Sequence, residues 1–109
     1  MPAVVMGDFN ADPARGDARP GAIDQLLGHP RIQPVVPRSG RGDATAEFGG
    51  GMRVDYVLPT RGLEVTGAGV FWPADDDPLA RLNAASDHAL VWVDVRPPVP
   101  GSGPVGAAR

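Results

Sequence analysis

The chain contains no cysteine and no lysine. The first absence excludes a disulfide scaffold and any thiolate-ligated metal. The second leaves arginine as the only strong base, ten in all, scattered without a run. With a formal net charge of −3, such a chain lacks the basic footprint expected of a nucleic-acid surface, although a segment outside it can supply half of a groove. Glutamate is scarce too: Glu47 and Glu64 are the only two, and the remaining acids are all aspartate. Short carboxylates suit turns, caps and hard-metal ligation better than long surface ion pairs. Nowhere is there an apolar run near the ~20 residues of a membrane helix. The N-terminus, MPAVVMGDFN, has no basic region ahead of an apolar one, so the chain as written is expected to be cytoplasmic. Secretion would follow only if a missing N-terminal half carried a signal peptide.

What the chain does have is glycine and proline, 15 and 13 of 109 residues, about a quarter of the total. An apolar share of 42% sits slightly below the ordinary range of about 45–50%. One small domain is therefore expected, over residues 1–96, with the Pro/Gly-rich 97–109 (PPVPGSGPVGAAR) as a disordered tail.

Along the chain, Ala3-Val4-Val5-Met6 reads as a short buried strand cut off by Gly7-Asp8. Residues 20–27 (PGAIDQLL) place Ile23, Leu26 and Leu27 on one helical face, with Pro20 before and Gly28 after. Residues 28–51 predict a long loop with little periodicity. RVDYVL (53–58) and LEVTGAGVFW (63–72) then read as strands, and Pro59–Gly62 between them makes a hairpin-like connection plausible. A turn-rich stretch follows, and HALVWVDV (88–95) is the best strand in the chain. The order is β–α–loop–β–β–loop–β, with each polar cluster at a strand end, where α/β sheets hold ligands.

Three motifs carry chemistry. In Gly7-Asp8-Phe9-Asn10, alternation puts Asp8 and Asn10 on one side, about 6–7 Å apart, with Phe9 turned into packing. A carboxylate there can orient or deprotonate a water while the amide donates to developing negative charge. The bland alternative is a turn following a strand. Asp8, Asn10 and Asp12 also occupy three calcium-loop positions, but Pro13 and Arg19 stand where such a loop needs Gly and Glu. In Arg53-Val54-Asp55-Tyr56, an inward Asp55 is costly unless paired, with a plain Arg53–Asp55 ion pair as the alternative. In Ser86-Asp87-His88, a histidine flanked by aspartate can be oriented and kept charged by a carboxylate from across the sheet, the alternative being a turn into the strand. His29 has no acidic neighbour and reads as a surface residue. Two Arg-Gly-Asp triplets, at 15–17 and 41–43, are expected by chance in a chain rich in these residues.

Taken in order, GDFN, RVDY and SDH resemble the endonuclease/exonuclease/phosphatase superfamily, over residues 1–95. The resemblance implies an α/β (α+β) fold, the C-terminal half of a four-layered αββα sandwich of the DNase I-like type. It implies metal-dependent phosphoester hydrolysis on a nucleic acid or a small phosphate ester, with Mg²⁺ (or Mn²⁺ or Ca²⁺) as cofactor. Under it Asp8 aligns or activates the attacking water, and Asn10 binds the phosphate. Asp55 orients His88, which donates to a non-bridging oxygen, and Asp8 and Asp87 serve the metal. The chain departs from the family in lacking the metal-binding Glu of the N-terminal half, for neither Glu47 nor Glu64 has that setting. A single sheet of a two-sheet sandwich leaves an apolar face open to self-association. The expectation is therefore a recognisable but incomplete site with little activity on its own. The alternative is an inactive half-domain acting as an interaction module, or a truncated remnant.

Overall fold

Along residues 55–59 alternate side chains turn inward, and Tyr56 and Leu58 vanish from the surface. This strand anchors the computed structural model, which describes residues 1–16 and 21–98. The elements are β1 (Val4–Asp8), α1 (Asp24–Leu27), β2 (Asp55–Pro59), β3 (Glu64–Phe71) and β4 (Leu90–Arg96), with 3-10 turns at Phe48–Gly50 and Ala80–Ala85. The fold is mixed α and β with antiparallel sheets and few helices. The expected tail falls, but for residues 97 and 98, outside the described residues, as does Pro20 at the expected helix start.

Strand pairing corrects one expectation. β2 does not form a hairpin with β3; it pairs antiparallel with β1, and β3 pairs antiparallel with β4. The reason lies at the turn. Gln33 Nε2 donates to the carbonyls of both Thr60 and Leu63, at 2.9 and 2.7 Å, and the Arg61 N–H reaches the Arg31 carbonyl. Residues 30–33 thus capture the Pro59–Leu63 connection and turn β3 away. The helix is also shorter than expected, four residues preceded by a turn at 21–23, though Ile23 is buried and Leu26 and Leu27 pack on the core as the pattern implied.

The main core comprises Ala11, Ile23, Ile32, Tyr56 and Leu58, with Val5 and Phe9 against it. Phe9 stacks on Tyr56 with centroids 5.6 Å apart. Burial pushes the Tyr56 phenol up to about 12, so it stays a donor, and its OH donates to the Ala11 carbonyl at 2.6 Å. Beneath lies Asp12, a buried carboxylate that accepts N–H bonds from Ala14, Arg15 and Arg53 and pairs with the Arg15 guanidinium at 2.9 Å. Burial alone would raise its pKa, but these donors outweigh it and the net direction is downward.

β1 was expected to be buried and is largely exposed; Met6 is 65% open. No described residue covers its outer face. β4 alternates Leu90 and Trp92 outward with Val91, Val93 and Val95 half-covered. Across the ribbon Trp92 lies on Gly69, where a Cβ would stand 2.7 Å from the indole. Between the ribbons runs an open groove of roughly 200 Å³ lined by Met6, Val57, Leu90 and Val91 among others.

The segment 28–51 is not structureless. Ala44, Thr45 and Ala46 are buried, and Ala46 bridges both Met52 and His88. This strap joins the two ribbons.

Candidate functional site

Register places the first two site residues. Asp8 ends β1 and Asp55 begins β2, and the two are direct cross-strand partners. Such partners hold their Cβ atoms about 4.5–5.5 Å apart. Two carboxylates this close repel unless a cation or proton lies between them. His88, two residues before β4, fills that role.

His88 Nδ1 lies 2.8 and 3.1 Å from the two oxygens of Asp55, while Nε2 lies 3.7 Å from Asp8 and 3.9 Å from Asp87. An ionised carboxylate can only accept, so Nδ1 carries the proton donated to Asp55. That hydrogen bond, with the negative charges of Asp55, Asp8 and Asp87, raises the His88 pKa against a smaller opposing effect of burial. The imidazole therefore holds its charge to higher pH than a free histidine. Phe48, from the Gly-rich turn, packs edge-on to the ring with centroids 5.6 Å apart.

Asp8, Asp55 and His88 form a cluster whose ligand atoms all lie within 4.8 Å of one another. Asp55 is the most enclosed of the three and is fully engaged with the imidazole. Asp8 and Asp87 are exposed on the other side of the ring, at 41% and 61%. Open carboxylates of this kind suit a hard divalent cation, which keeps several waters and takes one or two protein oxygens. Asp87 itself stands outside the three-residue cluster. Glu64 is remote from it, paired with Arg96 across β3 and β4.

Asn10 differs from the extended placement read from the sequence. Its φ is +52° and its N–H donates to Asp8 Oδ1 at 2.9 Å. The chain turns at Asn10, so strand alternation does not govern its side chain, and the turn instead fixes the Asp8 carboxylate. Nor does Arg53 pair with Asp55: it stacks over Tyr56 at 4.5 Å and donates to the Val35 carbonyl. His29 is exposed, as read, and its Nδ1 accepts the Arg31 N–H. Two contributors escaped the sequence reading. Asp12 was read as a turn signal with Pro13 and weighed as a calcium-loop position, but not as a buried acceptor, and Phe48, alone in a glycine-rich stretch, gave no signal.

A carboxylate–imidazole pair at the seam of two antiparallel ribbons, with further carboxylates at the free ring nitrogen, is an arrangement suited to phosphoester chemistry. The sequence model of the Endonuclease/Exonuclease/phosphatase family matches residues 1–88, and the chain belongs to that family. The match ends on His88, short of the 1–95 drawn from the motifs. Comparison with curated proteins and with solved structures gives no match. The family is DNase I-like, acts on phosphoesters and generally uses divalent metals. No helix among the described residues is long and apolar enough to cross a membrane.

Proposed function

We propose that this chain carries the water-activating and phosphate-binding part of a divalent-metal-dependent phosphoester hydrolase. The observation that carries the reading is the orientation of His88, with Nδ1 held by Asp55 and Nε2 directed toward the opening between Asp8 and Asp87. Asp8 accepts a proton from the attacking water as its oxygen bonds to phosphorus and the ester oxygen leaves. His88 donates from Nε2 to a non-bridging oxygen whose charge grows in the transition state, and Asp55 keeps the ring aligned and charged. Asn10 adds a carboxamide donor to the phosphate. Asp8 and Asp87 are the residues that would hold Mg²⁺, Mn²⁺ or Ca²⁺, which when bound supplies charge neutralisation and Lewis acidity. Hydrolysis of bis(p-nitrophenyl) phosphate with Mg²⁺ tests the reading. With the site incomplete, low metal-dependent turnover that Asp8→Asn abolishes is the expected result; turnover indifferent to Asp8 sinks it.

A second reading draws on the open apolar side chains Met6, Leu90 and Trp92. Here the chain is a half-domain that associates through its sheet face, with itself or with a partner. Size-exclusion chromatography showing a well-behaved monomer at all concentrations counts against it.

A further inference from the structure

We infer that Thr45, in the strap between the ribbons, is a positioning residue that sets the Asp55–His88 pair in register. The inference rests on the hydrolase reading for its catalytic meaning, though its geometry is independent of it. Asp55 belongs to β2 and His88 to the approach to β4, and these two strands share no backbone ladder. Something else must fix a 2.8 Å contact between them, and hydrogen bonds weaken over a few tenths of an ångström.

Thr45 reaches both sides. Its Oγ1 accepts the N–H of Asp55 at 3.1 Å and of Val54 at 3.0 Å, and its own N–H donates to the Met52 carbonyl at 2.8 Å. Its carbonyl accepts the N–H of Ala89, next to His88, at 2.7 Å. The neighbouring Glu47 N–H donates to the Asp87 carbonyl at 3.0 Å, so the strap follows the His88 segment for several residues. Thr45 is 1% exposed, which leaves no water to replace its hydroxyl, and a β-branched side chain has few rotamers in which to wander. Without Oγ1 the buried Val54 amide and the part-buried Asp55 amide lose their shared partner, and the start of β2 must shift to find another.

The experiment uses the full ¹⁵N-labelled chain and the low-field resonance of the His88 Nδ1–H. This signal should be present in the wild type and in Thr45→Ser, which keeps the hydroxyl, and lost in Thr45→Ala. Amide shifts of β3 and β4 should stay in place. A folded Thr45→Ala chain that retains the resonance overturns the inference. If Thr45→Ala does not fold, Thr45→Ser decides: a folded serine variant without the resonance overturns the inference, and one with it supports it. Diester turnover is measured alongside. Turnover lost in Thr45→Ala with the resonance intact also overturns the positioning role. Absence of turnover in every form, with the resonance behaving as expected, counts against the hydrolase reading alone.

Discussion

The two ribbons differ in what holds them. β1 and β2 rest on a core of Tyr56, Leu58, Ile23 and Ile32, with Asp12 gathering backbone donors below. β3 and β4 hold each other by a seven-residue ladder and keep Leu90, Trp92 and Phe71 on the surface. The first region has the packing of a domain interior, and the second depends on its ladder and on the strap at 45–47. The candidate site draws on both: Asp8 and Asp55 come from the packed region, His88 from the edge of the open one. Its geometry is therefore set less by either ribbon than by what joins them.

That contrast can be broken in stages. The His88 side chain sits at the seam, outside the main core, so His88→Ala should lower what diester turnover the chain has by roughly 10²–10⁴-fold while the circular dichroism spectrum stays unchanged. Asp12→Ala should destabilise the packed region by about 2–4 kcal/mol in urea unfolding, because three N–H donors and the Arg15 guanidinium lose a buried acceptor. Gly69→Ala forces a Cβ into the Trp92 indole and should cost about 1–3 kcal/mol. Its faster amide exchange should stay within β3 and β4; spread to Tyr56 and Leu58 would show that the ribbons are not separable.

The smallest effect is a titration. In the metal-free chain the raised His88 pKa should fall back toward 6.5 in Asp55→Asn, read from the imidazole resonances. The sign follows from the direction: the Asp55–His88 contact adds stability fully below the unfolded value of 6.5, and that contribution is lost as pH rises through the higher folded value. An unchanged His88 titration in Asp55→Asn would show that Asp55 is not the group that charges the ring.

Much of this was legible beforehand, and for local reasons. Strand alternation turned Phe9 into packing, and the apolar spacing of Ile23, Leu26 and Leu27 marked the face that meets the core. In 53–58 the inward side was assigned to Asp55, whereas it is Tyr56 and Leu58, the larger apolar side chains, that are buried. Asp55, facing away from Tyr56 and too enclosed to stand alone, called for a partner across the sheet. That partner is His88 and not Arg53, a choice no spacing could make, because the guanidinium finds a carbonyl and an aromatic face elsewhere.

The order of the strands and the residue types at their ends were determined by the sequence alone, since periodicity and turn chemistry act over a few residues. Which strand pairs with which, and where Asn10 and Thr45 stand, was decided only by the tertiary structure. Strand edges present the same N–H and C=O groups whatever the sequence, so a partner is chosen by what gets buried and by captures such as Gln33 on the Thr60 and Leu63 carbonyls.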